Sequence, residues 1–248
     1  MLNFGAIIIG DEILSGKRQD KHFARVIELL TQRGLELAWA EYLGDAPKRI
    51  TATFQRTFAT DDIVFSFGGI GATPDDHTRQ CAAMAAGVNL FRHPDAVKEI
   101  EERFGEQAYP KRILMAEFPE GSEAIPNPFN RIPGFSLGRH YFLPGFPEMA
   151  WPMMEWVLDT IYPHLHHQAP WSEEIILIAD IPESDVIDAM NAVLTQFDGV
   201  KVSSLPRFTP TGRELELAVK GKPEQVPKGM NLLKDAVKAL GYSFVTKS

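Results

Sequence analysis

The chain has 248 residues, of which 44% are hydrophobic and 23% are charged, and its formal net charge is −8 at neutral pH. This composition is typical of a soluble globular protein, and the length suits one large domain followed by a small one. An acidic chain lacks the basic surface by which proteins bind nucleic acid, so we expect no nucleic-acid partner.

The sequence shows no segment that predicts membrane insertion or export. No apolar run approaches the roughly 20 residues that a membrane-spanning helix needs. The N-terminus has no basic region, and it reaches Asp11 and Glu12 too early for a signal peptide. The single cysteine, Cys81, excludes a disulfide within the chain and a zinc site made of cysteines. We therefore expect a cytoplasmic protein without a membrane partner.

Strands and helices alternate in the first part of the chain. The pattern predicts strands over 4–10, 35–44 and 62–69, and helices over 19–34, 46–61, 75–87 and 94–105. In the first helix, Phe23, Val26, Ile27 and Leu30 fall at helical spacing. Alternating strands and helices form mostly parallel sheets, in which ligands bind at the carboxyl ends of the strands.

The second half of the sequence changes character. After Pro110 it is rich in proline and glycine, and it contains a predicted hairpin over 134–145 and a helix over 146–165. Residues 173–247 then follow the order β-α-β-β-α-β of the ferredoxin-like motif. We therefore predict a three-layer α/β/α domain with a mostly parallel sheet over 1–168, followed by a small ferredoxin-like α+β domain over 169–248.

Two loops that follow predicted strands combine acidic residues with glycines. The first, GDEILSGKRQD, places Asp11 and Glu12 directly after a strand. The second, GGIGATPDDHT, contains glycines that let the backbone approach a ligand, and Asp75 and Asp76 open the helix predicted after it. Two aspartates beside a phosphate site can be explained by a divalent cation between carboxylate and phosphate. The alternative is that these aspartates only cap the helix and complement its dipole.

Other residues give weaker indications of a site. The second loop is neither a P-loop nor the G-x-G-x-x-G motif. His164, His166 and His167 lie at a predicted helix end, where a solvated turn explains them better than metal binding. Cys81 lies in an alanine-rich helix and is interpreted as a small buried residue rather than a nucleophile.

Four motifs together resemble the molybdopterin-binding (MoaB/MogA-like) domain family, and most closely its CinA-like branch, the competence-damage-inducible proteins. They are GDEILSGKRQDKH, GGIGATPDDHT, NPFNRIPG and LPGFPEM, in this order, and they cover about residues 4–165. The region after them is similar to the small domain that follows in CinA-like proteins. The C-terminal deamidase domain of full-length CinA has no room in 248 residues, so we expect that activity to be absent. The sequence departs from the family motifs at Lys21, His22, Ala72, Asn130, Arg131 and Ile132.

The resemblance implies a function as well as a fold. Relatives bind molybdopterin or adenine nucleotides, and the CinA-like branch includes metal-dependent pyrophosphatases that act on ADP-ribose; a similar domain of eukaryotic FAD synthase hydrolyses FAD. The implied function is a metal-dependent pyrophosphatase on ADP-ribose, FAD or a similar nucleotide diphosphate. The alternatives are a non-catalytic molybdopterin- or nucleotide-binding protein and an adenylyl transferase of molybdenum cofactor biosynthesis. The implied cofactors are a divalent metal such as Mg²⁺, with K⁺ as a second ion, and the implied assembly is a homodimer or homotrimer.

The same resemblance assigns roles to individual residues. Asp11, Asp75 and Asp76 are the predicted catalytic residues and metal ligands. The residues predicted to bind the phosphate or the rest of the ligand are Gly10, Glu12, Ser15, Gly16, Asp20, Gly68, Gly69, Ile70, Gly71, Thr73, Thr78, Asn127, Pro133, Gly134, Pro144 and Gly145.

Overall fold

The computed structural model describes residues 2–167, 172–210 and 212–247. The chain forms two compact units, of which the first ends at His166 and the second begins at His167. The predicted boundary between residues 168 and 169 lies outside the described residues. Within the described ranges, no helix is both long and apolar enough to cross a membrane.

The first unit is built around a six-stranded sheet. The strands of this unit are β1 (Phe4–Ile9), β2 (Leu37–Leu43), β3 (Ile63–Phe67), β4 (Leu90–Arg92), β5 (Glu117–Pro119), β6 (Glu123–Ile125), β7 (Gly134–Leu137) and β8 (His140–Leu143). Its α-helices are α1 (Asp11–Leu14), α2 (His22–Thr31), α3 (Pro47–Phe58), α4 (Thr78–Ala86), α5 (Pro94–Phe104) and α6 (Pro147–Thr160). Short 3₁₀ helices occupy Gly105–Ala108, Arg112–Ala116 and Pro163–Leu165. The sheet order is β2-β1-β3-β8-β7-β6, in which β2, β1, β3 and β8 are parallel, and β4 pairs with β5 separately.

Separate hydrophobic clusters cover the two faces of this sheet. Ala6 and Ile8 of β1 pack in the cluster that contains residues of α2 and α6. Ile7 and Ile9 pack on the opposite face, with residues of α3, α4 and α5. Because successive side chains of a strand point to opposite faces, an uninterrupted apolar strand such as β1 serves both cores. The predicted three-layer α/β/α class is thereby confirmed.

Gly5 of β1 leaves room for the indole ring of Trp39 on the neighbouring strand β2. A Cβ atom at Gly5 would lie 2.2 Å from that ring, which is held by a 2.8 Å hydrogen bond from Nε1 to Asp62. We expect Gly5→Ala to lower the free energy of unfolding by about 2–3 kcal/mol, because the ring has to move. Urea denaturation measures this cost, and it should shrink in a Trp39→Val background. An equal cost in both backgrounds would contradict the explanation.

The second unit has its own sheet and core. Its elements are β9 (Ser172–Ala179), a 3₁₀ helix (Glu183–Val186), α7 (Ile187–Gln196), β10 (Val200–Thr209), β11 (Gly212–Gly221), α8 (Val226–Ala239) and β12 (Phe244–Lys247). The strand order is β10-β11-β9-β12, and all neighbours are antiparallel. Ile176, Leu217 and Leu233 are among the fully buried residues of its core. This is the predicted ferredoxin-like arrangement.

Two local predictions near the loops are wrong. Asp11–Leu14 forms a one-turn helix instead of an irregular loop. Helix α4 begins at Thr78, so Asp75 and Asp76 precede the helix instead of opening it. The reason is a turn closed by Asp76, which donates its N–H to the Thr73 carbonyl at 3.0 Å and accepts the Thr73 N–H on Oδ2 at 2.8 Å. Aspartate side chains compete with helical hydrogen bonding in this way.

Candidate functional site

A cavity of about 600 Å³ lies at the carboxyl ends of the parallel strands of the first unit. Its walls come from the loops after β1, β2, β3 and β8, and from the segment 127–133. The lining residues are Ile9, Gly10, Glu12, Arg18, Asp45, Gly68, Gly69, Ile70, Gly71, Ala72, Thr73, Asp75, Asp76, Met115, Asn127, Asn130, Ile132, Pro133, Pro144, Gly145, Phe146 and Met149. The volume suits a small-molecule ligand, and the position is where α/β sheets bind ligands.

Residues 68–73, here named the glycine turn, form one wall of the cavity. Gly68 has φ +105° and Gly69 has φ +68°, conformations that favour glycine. A Cβ atom at Gly68 would lie 2.3 Å from the carbonyl oxygen of Ile9. The glycines are therefore required for the path of the backbone, which passes directly over the end of β1.

Two buried side chains of α4 hold the glycine turn from behind. Thr78 donates its hydroxyl to the Gly68 carbonyl and its N–H to the Gly69 carbonyl, both at 2.9 Å. Arg79 is only 2% exposed and donates to the carbonyls of Ile70 at 3.1 Å and Gly71 at 2.7 Å. The carbonyl oxygens of residues 68–71 are thus occupied by protein donors, whereas within the described part of the chain the N–H groups of residues 69–72 donate to no acceptor. Residues 69–72 all line the cavity, so this stretch of backbone is the part of the turn that can offer N–H groups to an anionic ligand.

Four carboxylates line the cavity within the described structure, those of Glu12, Asp45, Asp75 and Asp76, and two of them, Asp45 and Asp76, accept hydrogen bonds from the protein itself. Oδ2 of Asp76 accepts hydrogen bonds from the N–H and the hydroxyl of Thr73. Asp11 and Asp45 hold each other: the Asp11 N–H donates to Asp45 at 2.9 Å, and the Asp45 N–H donates to Asp11 at 3.1 Å. Asp75 is exposed, and the Thr73 side chain keeps its pKa below the ordinary value, so it is ionised at neutral pH.

Among these carboxylates, Asp45 is the one whose pKa is raised by its surroundings. Burial raises its pKa above the ordinary value, and the negative charges of Asp11, Glu12 and Asp75 add to the rise. A carboxyl pKa that is higher in the folded state makes stability fall as the pH rises from the unfolded-state value through the folded one. Negative charge at Asp45 is thus unfavourable at neutral pH, where a bound cation would relieve it.

Asp45→Asn should therefore raise the melting temperature at pH 7 by roughly 1–3 °C. The Asn side-chain oxygen can still accept the Asp11 N–H, so the mutual contact is kept. Thermal unfolding from pH 3 to pH 8 measures the effect, which should disappear at the acid end. A lower melting temperature at pH 7 would show that the charge of Asp45 is stabilising instead.

The structure brings most, but not all, of the residues predicted from the sequence to the cavity. Those that line it are Gly10, Glu12, Gly68, Gly69, Ile70, Gly71, Thr73, Asp75, Asp76, Asn127, Pro133, Pro144 and Gly145. Those that do not are Asp11, Ser15, Gly16, Asp20, Thr78 and Gly134.

Three of the residues outside the cavity have a structural explanation. Thr78 is buried behind the glycine turn, where its hydroxyl is already donated. The Asp20 carboxylate accepts the N–H groups of His22 and Phe23 at the start of α2, at 2.8 and 3.1 Å. A Cβ atom at Gly134 would lie 2.4 Å from the Phe142 carbonyl oxygen, so this glycine serves strand packing.

Sequence reasoning missed several lining residues. Asp45 follows β2 and could have been found by the same rule that singled out the loops after β1 and β3. Arg18 lies within the quoted first loop and is the one lysine or arginine among the described residues that line the cavity. Phe146 and Met149 lie within the LPGFPEM motif, but their residue types do not indicate a ligand, because an aromatic residue or methionine near a helix start is more often core.

The carboxylates do not form a ready metal centre. Among residues 2–167, 172–210 and 212–247, no group of three or more His, Cys, Asp or Glu residues could hold a metal ion. The structure therefore does not bring Asp11, Asp75 and Asp76 together as the predicted set of ligands. Mg²⁺ bound with phosphates needs only one or two carboxylates, since the phosphates and water supply the remaining ligands. Exposed Asp75, with Glu12 beside the same cavity, fits that requirement.

Comparison with known proteins places the first unit in a family. The model of the family described as a probable molybdopterin binding domain matches residues 5–167. The chain is 34% identical over 193 residues to a CinA-like protein of Anaeromyxobacter sp. (strain K), covering 75% of this chain and 47% of that protein. It thus spans about half the length of that relative.

A protein sequence and a solved structure, both from Thermoplasma acidophilum, are also similar to this chain. Protein Ta0487 is 29% identical over 248 residues, which cover 97% of this chain and 95% of that protein. A crystal structure of the protein CinA with unknown function from the same organism is 30% identical, with a TM-score of 0.58. That match covers 64% of this chain and 97% of the other.

Proposed function

The chain belongs to the molybdopterin-binding domain family, in its CinA-like branch, and we propose that it binds a nucleotide diphosphate such as ADP-ribose or FAD and hydrolyses its diphosphate with a divalent metal. The observation that carries the proposal is that the glycine turn and the exposed, ionised carboxylate of Asp75 line the same cavity. A backbone with a free N–H beside an ionised carboxylate suits a phosphate that arrives with its cation.

We assign different roles in ligand binding to the residues that line and support the cavity. The Ala72 N–H donates to a phosphate oxygen, and Arg18, which also lines the cavity, supplies positive charge. Arg79 and Thr78 keep the turn in shape by holding its carbonyls away from the ligand. Asn127 and Asn130 fix the facing loop through their mutual 2.8 Å hydrogen bond.

Asp75, together with Glu12, is the residue that would hold the metal. Mg²⁺ bound there would neutralise phosphate charge and lower the pKa of a coordinated water. The carboxylates also repel a bare diphosphate, so nucleotide binding should weaken when divalent metal is removed by EDTA.

Binding without turnover is the second candidate. It is favoured by the engagement of Asp11 and Asp76 with backbone N–H groups, which leaves fewer free carboxylates than the sequence predicted. A protein of this kind would be stabilised by nucleotide or pterin ligands but would not cleave them.

One assay separates the two candidates. Purified protein is incubated with ADP-ribose, FAD or NAD, with Mg²⁺, Mn²⁺ or Co²⁺ and with K⁺, and AMP is measured while thermal shift reports binding. AMP release that requires metal supports hydrolysis. A thermal shift without AMP supports the binding protein, and no shift with any nucleotide or pterin would contradict both. The predicted homodimer or homotrimer stays a prediction, which analytical ultracentrifugation of the same sample would test.

A further inference from the structure

Strand β2 forms one edge of the six-stranded sheet, and among the described residues no strand pairs with its outer side. An unpaired edge presents a row of backbone N–H and C=O groups, which proteins usually protect with lysine, with proline or by keeping the strand short. β2 is seven residues long, LAWAEYL, and contains neither lysine nor proline. Its pairing with β1 skips Ala38, whereas Trp39–Leu43 form a regular row. β2 therefore offers an open edge to another strand.

The other edges of the two larger sheets carry such protection. The opposite edge of the same sheet, β6, has only three residues and is followed by Pro126. In the second unit, the edge strand β10 contains Lys201 and Pro206, and the edge strand β12 has four residues that include Lys247. The contrast indicates that β2 is kept open for a partner.

Apolar side chains continue this edge into a strip, here named the β2 strip. Its members are between 39% and 58% exposed, and they are Leu14, Phe23, Ile27 and Tyr42. The Asp20 carboxylate joins two of them, since it accepts the Tyr42 hydroxyl at 2.7 Å and the Phe23 N–H at 3.1 Å. Ile27 follows Phe23 by one turn of α2, and Leu14 lies beside Gly44, just after the end of β2. Contiguous exposed apolar side chains of this kind mark interaction surfaces.

The charges next to the β2 strip are matched within the chain. Asp20 accepts the N–H groups of His22 and Phe23 as well as the Tyr42 hydroxyl. Glu41, the one charged residue of β2, pairs with Arg56. These carboxylates do not select a basic partner, and the surface is complementary to an apolar surface like itself. A second copy of the chain can therefore approach it although each copy has a net charge of −8.

We propose that two copies of the chain associate through β2, with the strands antiparallel about a two-fold axis and the two β2 strips packed together. Each copy presents the same row of backbone groups, so the contact is self-complementary, and it closes at two chains. The assembly is then a dimer rather than a trimer. The inference does not depend on the proposed function, because no member of the strip lines the cavity.

Sedimentation velocity over a dilution series measures the dissociation constant of the dimer. Phe23→Lys and Ile27→Lys should each raise it about tenfold or more, because the contact would desolvate an ammonium group. Leu194→Lys is the matched control. Leu194 is an apolar residue of α7 in the second unit, is 50% exposed, and undergoes the same change of charge. This variant should keep the wild-type constant.

Cross-linking tests the same contact without lysine on the strip. Ala40→Cys and Glu41→Cys each place a thiol near the middle of β2, where a two-fold axis brings identical residues of the two copies together. Oxidation should give a disulfide-linked dimer in at least one of them. The native Cys81 is buried and does not compete. Ala86→Cys, at an exposed alanine of α4, is the control that should stay unlinked.

The outcomes decide the proposal. Weaker association of both lysine variants, with a cross-link at Ala40→Cys or Glu41→Cys, supports the β2 interface. If the lysine variants do not fold, the cross-link decides alone. A wild-type protein that sediments as a monomer or as a trimer overturns the interface. A dimer that keeps its dissociation constant in both lysine variants and forms neither cross-link overturns it as well.

Discussion

Replacing Arg79 by methionine should lower the free energy of unfolding by about 3–5 kcal/mol and abolish ligand binding. The guanidinium is buried, and besides Ile70 and Gly71 it donates to the carbonyls of Leu114 and Glu117 at 2.5 and 3.1 Å. Methionine fills a similar volume but leaves these buried acceptors without donors. The same change releases two carbonyls of the glycine turn, so the turn loses its shape as well.

Urea denaturation and diphosphate calorimetry measure the two effects. Arg79→Lys should recover only part of the loss, because an ammonium group cannot reproduce the planar fork that reaches all four carbonyls. Arg56→Met is a suitable control, since Arg56 is 56% exposed and pairs with Glu41 on the surface, where a change below about 1 kcal/mol is expected. Wild-type stability and affinity in Arg79→Met would contradict the role given to Arg79.

Asp75→Asn should reduce diphosphate hydrolysis by about 100-fold or more while leaving the melting temperature nearly unchanged. The residue is exposed, so little folding energy depends on it, but it is the carboxylate that we propose binds the metal. Asp76→Asn should instead lower the melting temperature, because the hydrogen bonds from the N–H and hydroxyl of Thr73 weaken. Ligand binding should weaken as well, because the glycine turn loses its shape.

The matched control is Asp198→Asn, an exposed aspartate of the second unit. It should change neither rate nor melting temperature. AMP production under saturating metal, together with thermal unfolding, measures all three variants. Full hydrolysis in Asp75→Asn would remove Asp75 from the metal site and leave Glu12 and Asp45 as the carboxylates to test.

The sequence was sufficient for the layers of the fold and for the glycine turn. Apolar runs such as β1, and the β-α-β-β-α-β order of the second unit, depend only on residues that are close together in the sequence. They can therefore be predicted without knowing any long-range contact. The sharp turn at Gly68 and Gly69 could also be predicted from the sequence, because a backbone with positive φ after a strand favours glycine. Their neighbourhood at the carboxyl end of β3 followed from the parallel sheet alone.

What the sequence did not predict depends on contacts between distant segments. Helical spacing pointed to Phe23 and Ile27, yet they are 39% and 40% exposed, whereas His22 and Leu29 are buried. Which face of α2 is buried is decided by its packing against the sheet and α6. Likewise, the sequence around Asp76 does not indicate that its carboxylate accepts a hydrogen bond from Thr73. The sequence around Asp11 does not indicate the pair of hydrogen bonds that it forms with Asp45, which is 34 residues away.

A crystal structure of the protein with Mn²⁺ and a non-hydrolysable ADP-ribose analogue tests the central claim most directly. We predict a diphosphate against the glycine turn, within hydrogen-bond distance of the Ala72 N–H, and an anomalous manganese peak within about 2.6 Å of the Asp75 carboxylate. A nucleotide bound outside the cavity, or a metal held without Asp75, would contradict it.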